Sequence, residues 1–230
     1  MTAYVIPLPP VSSVEVRGSD ARFPVRRIFC VGRNYAEHAR EMGADTREPP
    51  FFFTKPADAI VGDGATIPWP PATNDLHHEA ELVVAIGRGG IAIRADEALG
   101  HVWGYAPGND LTRRDLQAEA KDKRRPWDMG KAFDNSAVCG PLVPVEQIGH
   151  IESGRIACFV NDEIRQLADL SDMIWSVPEI IAELSVLVRL EPGDLIYTGT
   201  PAGVGRLDPG DSCRVEIAAL GAVTVRLGPR

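Results

Sequence analysis

Glu79 and Glu81 stand two apart in His77-His78-Glu79-Ala80-Glu81-Leu82-Val83-Val84, and Asp110 follows in Pro107-Gly108-Asn109-Asp110. Side chains alternate faces along a strand, so both glutamates of such a segment project the same way and can grip one ion. Hard carboxylate oxygens select Mg2+, Mn2+ or Ca2+, and three protein oxygens leave about three positions of an octahedron for water or a chelating substrate. Two strand glutamates also fit a solvated face. The run Leu82, Val83, Val84, Ala85 and Ile86 argues against that, because it reads as a buried strand, and carboxylates at its start need a partner. His77 and His78 adjoin the glutamates but are not needed as ligands, since the carboxylates already supply enough oxygens.

Four further groups could act beside such an ion. His38 and Glu41 are three apart on a helix expected from about Tyr35 to Met42, with Asn34 as its cap and Gly43 as its stop. The pair fits an ordinary surface contact; as a working dyad, Glu41 would orient the imidazole and His38 would deprotonate a water. Lys131 reads either as a surface ammonium or as an electrostatic clamp near a metal-bound anion. Gly199-Thr200 opens a glycine-rich turn that could offer a hydroxyl and backbone N–H groups to a carboxylate. A helix start expected at Asp110 would place Asp110, Arg114 and Gln117 on one stripe.

The elements that must position these residues are short and separated by turns. Gly 22 and Pro 19, spread over 230 residues, suit a mainly β architecture better than a helical bundle. Strands are expected at Ile28–Val31, Phe51–Thr54, Leu82–Ile86, Leu195–Thr198, Arg214–Ile217 and Val223–Leu227. A hairpin is expected around Asn161-Asp162, and a capping box at Ser176–Glu179 opens a helix through Leu187. Neither a linker nor a repeat divides the chain, so one catalytic domain over 1–230 is expected, with 1–27 as an amino-terminal β extension. Cys30, Cys139, Cys158 and Cys213 are too scattered for a disulfide frame or zinc site. No membrane-length apolar run and no secretory signal is read, which points to the cytoplasm. The net charge of -8 argues against nucleic-acid binding. Basic residues gather locally, and the charged stretch from Glu119 to Trp127 is a candidate lid.

The stretches VGRNYAEHAREMG, PPFFFTKP, HHEAELVVAIG, GYAPGNDLTRRDLQ, GKAFD and PGDLIYTGTPAGVG, in this order, resemble the fumarylacetoacetate hydrolase family, and within it the short bacterial acylpyruvate hydrolases. The resemblance implies an α+β, mainly β fold, a mixed β-roll around a metal with a few short helices, and commonly a homodimer. It implies Glu79, Glu81 and Asp110 as metal ligands, with Mg2+ or Mn2+ as the ion, and His38 with Glu41 as the water-activating dyad. Lys131, Arg114 and Gln117 would hold oxyanion and substrate, and Thr200 a carboxylate of a small keto-acid or dicarboxylate substrate. The expected reaction is cleavage of the C–C bond of a 2,4-dioxo acid, such as fumarylpyruvate to fumarate and pyruvate. Oxaloacetate decarboxylation and hydroxymuconate isomerisation remain alternatives on the same platform, and a non-catalytic metal-stabilised binding protein is a more remote one.

Overall fold

The computed structural model describes residues 3–35 and 48–230. The first elements are a hairpin of β1 (Ser13–Val16) and β2 (Ser19–Pro24), then β3 (Arg27–Gly32), β4 (Phe51–Lys55), β5 (Ile60–Val61) and β6 (Ala65–Ile67). β7 (Leu76–His78), β8 (Ala80–Ile86), β9 (Val102–Asp110) and β10 (Thr112–Arg113) lead into helix α1 (Arg114–Asp122) and the short α2 (Asp128–Lys131). Next come β11 (Ala137–Cys139), β12 (Val143–Pro144), α3 (Val145–Ile148), β13 (Arg155–Val160), β14 (Glu163–Asp169) and α4 (Val177–Leu187). The chain closes through β15 (Asp194–Tyr197), β16 (Gly205–Leu207), β17 (Ser212–Ile217) and β18 (Gly221–Leu227).

Among the described residues the main sheet runs β4-β3-β15-β8-β9-β11-β5, with β12 also on β9. It is mixed, since β15 lies parallel to β3 and antiparallel to β8. A second sheet, β14-β13-β17-β18-β6, packs on it, and a small sheet β10-β7-β16 covers the end near the glutamates. The mixed, mainly β architecture agrees with the expected roll. Local chemistry explains several elements: Asn161 and Asp162 both take positive φ, as the two-residue hairpin between β13 and β14 requires. Ser176 and Glu179 form the capping box of α4, with Pro178 in its first turn.

β8 is buried on both faces. Leu82, Val84 and Ile86 enter the larger core with Ile156, Val215 and Val225, whereas Val83 and Ala85 enter a smaller core with Ile28, Cys30, Ala106 and Tyr197. Residues opposite one another across strands share a face. The registers Tyr197↔Val83, Val83↔Ala106 and Glu81↔Gly108 therefore put Glu81 on the smaller-core face, at its rim. Ile28↔Lys55 and Ala137↔Asp110 bring Lys55 and Asp110 to the same face. The sheet converts distant sequence positions into one charged patch beside an apolar layer.

Two expectations about these elements are corrected. Asp110 does not begin a helix; it ends β9, and α1 starts at Arg114, because pairing with Ala137 and then of Thr112 with His77 holds this stretch extended. Glu79 and Glu81 do not lie on one continuous strand. Glu79 sits in a break between β7 and β8, where its N–H donates to Asn109 Oδ1 at 2.9 Å and its carbonyl accepts from the Asp110 N–H at 2.9 Å. The helix expected from Tyr35 to Met42 extends into residues outside those described. Asn34 is engaged elsewhere: its amide donates to Trp175 O and Thr198 O and accepts from the Trp175 N–H.

Candidate metal centre and its pocket

Ligand oxygens of Glu79, Glu81 and Asp110 all lie within 4.8 Å of one another, and all three residues are buried. Three carboxylates this close repel strongly in a low-dielectric site unless cations intervene. Lys131, at the end of α2, bonds Glu79 Oε2 and Asp110 Oδ2, each at 2.8 Å. Arg114, at the start of α1, places a guanidinium nitrogen 2.6 Å from Glu79 Oε1, and Thr112 donates to the same oxygen at 3.1 Å. Lys55 brings its ammonium within 2.7 Å of Asp110 Oδ1, yet donates its hydrogens to the carbonyls of Leu111 and Lys131.

The charge pattern is uneven. Burial disfavours the Lys131 ammonium, but Asp110 and Glu79 outweigh it and hold its pKa above the ordinary lysine value. Glu81 shows the opposite condition: burial, then the Asp110 and Glu79 charges, push its carboxyl well above the usual range, offset in part by Lys131 and by the Gly199 N–H at 2.8 Å. Glu81 is thus the carboxylate least compensated by protein cations. Asp110 Oδ1 is buried and accepts no hydrogen bond among the described residues. An under-compensated Glu81, an Asp110 oxygen met among the described residues by the Lys55 ammonium alone, and an all-oxygen donor set fit a hard divalent cation.

Among the described residues the pocket above this cluster is lined by Arg33, Phe51, Glu79, Glu81, Arg114, Gln117, Lys121, Trp127, Lys131 and Thr200. Arg114 donates to Gln117 Oε1 at 2.7 Å, which directs the Gln117 amide nitrogen away as a donor. Gly130 lets α2 approach α1, since a Cβ there would stand 2.9 Å from the Gln117 nitrogen, and that approach seats Lys131 under the pocket. Gly199 takes φ +97°, and a Cβ there would meet Asn34 Cβ at 2.6 Å, so only glycine delivers Thr200 to the wall at this spacing.

At the mouth, Lys121 sits 4.9 Å from the Trp127 ring centre, and Arg33 sits 5.7 Å from that of Phe51. Trp127 meets Phe51 edge-on at 5.3 Å. Trp127, at the end of the candidate lid from Glu119 to Trp127, is the residue that ties this stretch to the strand wall through Phe51. Burial, followed by the Arg114 and Arg33 charges, pushes Lys121 down to about 8.

The structure brings together Glu79, Glu81, Asp110, Arg114, Gln117, Lys131 and Thr200. His38 and Glu41 lie outside the described residues. Sequence reasoning passed over Lys55, although a lysine ending an apolar strand read as Phe51–Thr54 is a signal that a buried anion awaits it. It also missed Gln166 and left His78 aside. His78 is fully buried, its Nδ1 lies 2.9 Å from Gln166 Oε1, and burial pushes it down to about 4, so it is neutral.

Residues 27–227 match the family model for the fumarylacetoacetate (FAA) hydrolase C-terminal domain. A fumarylpyruvate hydrolase of a Ralstonia species is 44% identical over 182 residues, which make up 79% of this chain and 94% of that protein. The crystal structure of fumarylpyruvate hydrolase from Pseudomonas aeruginosa in complex with Mn2+ and pyruvate is similar at a TM-score of 0.97 and 48% identity, covering 99% of this chain and 100% of that one. The mitochondrial oxaloacetate tautomerase of Rattus norvegicus is 41% identical over 201 residues, 87% of this chain and 90% of that protein.

Proposed function

The chain belongs to the fumarylacetoacetate hydrolase family, and from that premise we propose that it is a divalent-metal-dependent acylpyruvate hydrolase, cleaving fumarylpyruvate to fumarate and pyruvate. The observation that carries this reading is the buried cluster of Glu79, Glu81 and Asp110 at the floor of a pocket rich in cationic side chains. A cation held by these three carboxylates supplies Lewis-acid polarisation and a template for the 1-carboxylate and 2-oxo group of a 2,4-dioxo acid.

The chain's own residues then divide the work. His38, oriented by Glu41, takes a proton from the attacking water. The hydroxyl adds to C4, and the oxyanion formed there meets the Lys131 ammonium, the Gln117 amide and the Arg114 guanidinium. As the C3–C4 bond breaks, its electron pair stays on C3, which takes up a proton and becomes the methyl group of pyruvate. C4 leaves as the carboxyl carbon of the acid. Thr200 donates a hydrogen bond to the substrate carboxylate. The acyl chain then points to the mouth, where Arg33 and Lys121 have no carboxylate partner among the described residues and suit the distal carboxylate of a fumaryl group.

Finer assignments belong to the same reading. The ion is Mg2+ or Mn2+, with Ca2+ compatible with the oxygen set. The chain works as one catalytic domain over 1–230, with 1–27 as a β extension. A homodimer, as the family resemblance implies, is part of the same proposal. A place in gentisate-type aromatic catabolism and in the cytoplasm belongs to the same proposal. Oxaloacetate decarboxylation is the second reading, favoured by the similarity to oxaloacetate enzymes and needing no attacking water. A panel of fumarylpyruvate, acetylpyruvate, oxaloacetate and the hydroxymuconate, assayed for pyruvate, separates them. Fastest turnover is expected on fumarylpyruvate; pyruvate from oxaloacetate alone would replace hydrolysis with decarboxylation.

A further inference from the structure

We propose that Gln166 is a positioning residue that fixes the direction of the Thr200 hydroxyl, so that Thr200 acts on the pocket only as a hydrogen-bond donor. The proposal rests on the reading that Thr200 meets a substrate carboxylate, and it concerns a residue of β14 that does not line the pocket.

Gln166 is buried, and its amide is saturated. Oε1 accepts from the Ala80 N–H at 3.0 Å, and a backbone N–H can only donate, so the oxygen must face this way. The other end gives an independent check: Nε2 lies 2.9 Å from the Pro201 carbonyl, which can only accept. A flipped amide would set N–H against N–H at one end and oxygen against oxygen at the other. With the orientation fixed, His78 Nδ1 must carry the hydrogen that reaches Oε1 at 2.9 Å, and the second Nε2 hydrogen goes to Thr200 Oγ1 at 2.8 Å.

Thr200 Oγ1 therefore receives a hydrogen from behind, and its own hydrogen has no acceptor among the described residues. Thr200 lines the pocket with Glu81, Arg114 and Lys131. A hydroxyl that already accepts one hydrogen bond is polarised to donate the next more strongly. The wall it presents thus selects an oxygen lone pair, as a carboxylate offers, over an N–H or O–H donor. Without Gln166 the hydroxyl could rotate and accept as readily as donate, or turn to the Pro201 carbonyl.

A double-mutant cycle on the Mn2+-loaded protein, read as oxalate affinity by calorimetry, tests this. Thr200→Val is expected to weaken oxalate about tenfold, the worth of one hydrogen bond to a charged group. Gln166→Met should weaken it by a similar factor, and the double variant should bind no more weakly than Thr200→Val alone. Because Gln166→Met leaves Ala80 N–H, His78 and Pro201 without partners, Gln166→Glu is the second variant. Its near oxygen still accepts from Ala80 and His78, so only the Pro201 carbonyl loses its donor, while its far oxygen draws the Thr200 hydrogen away from the pocket; the same loss and the same non-additivity are expected. Losses that multiply to about a hundredfold in the double variant, or Gln166 variants that bind oxalate normally beside a weakened Thr200→Val, would overturn the proposal and leave the Thr200 contact standing. An unaffected Thr200→Val would remove the contact itself, and the proposal with it.

Discussion

The floor and the mouth of the pocket handle charge in opposite ways. At the floor, Glu79 and Asp110 are held against Lys131, Lys55 and Arg114 at 2.6–2.8 Å, and every member is largely shielded from water. At the mouth, Arg33 and Lys121 rest on aromatic rings with no carboxylate against them among the described residues. Among the described residues the floor's three cations pair with Glu79 and Asp110 and leave Glu81 without an ion pair, which is where an added divalent cation would find uncompensated charge. The mouth is positive already. On the proposed function, reaction and selection are separated along one cavity: the inner residues would serve any acylpyruvate, and the outer ones would choose by the charge at the far end of the acyl chain.

The comparison breaks most completely at Glu81. Glu81→Ala removes a carboxylate that protein cations compensate least, and both metal binding and turnover should fall below detection, measured by calorimetry with Mn2+ and by pyruvate release. Glu97→Ala, outside the site, should change neither. His38→Ala should lower kcat about a hundredfold or more with little change in substrate affinity. Survival of oxaloacetate decarboxylation in that variant, with hydrolysis gone, would assign the dyad to water activation alone.

Lys121→Met probes the mouth by itself. KM for fumarylpyruvate should rise about tenfold, while acetylpyruvate, which lacks a distal carboxylate, should be nearly unaffected. Equal effects on both substrates would merge mouth and floor into one functional region. The sign of the pH effect follows from the lowered lysine. Lys121 is cationic below about 8 and loses its proton above it, so kcat/KM for fumarylpyruvate should decline as pH rises through that value, and Lys121→Met should lack that decline.

The floor was far more legible in the sequence than what holds it. Glu79, Glu81 and Asp110 stand out because carboxylates beside an uninterrupted apolar strand are costly to bury unless a cation meets them. The mistaken helix start at Asp110 came from reading Arg114 and Gln117 as continuing its stripe; the cross-strand pairing of Asp110 with Ala137 overrides that pattern, and no local signal reveals it. Gln166 was illegible for a related reason, and Lys55 offered only its place at the end of an apolar strand, with no sign of which anion it meets. Lys55 donates to a carbonyl 56 residues away, and Gln166 bonds residues 88 and 86 positions before it, so their roles exist only once the sheets have closed. By contrast, the Ser176–Glu179 capping box and the Asn161-Asp162 turn were legible because their physics is local.

The central claim is that the carboxylate floor holds a hard divalent cation on which hydrolysis depends. Its most direct measurement is pyruvate release from fumarylpyruvate by protein exhaustively treated with a chelator and then supplied with Mg2+ or Mn2+. The account predicts no turnover after chelation and full recovery on adding either ion. Undiminished hydrolysis by the chelated, metal-free protein would contradict it.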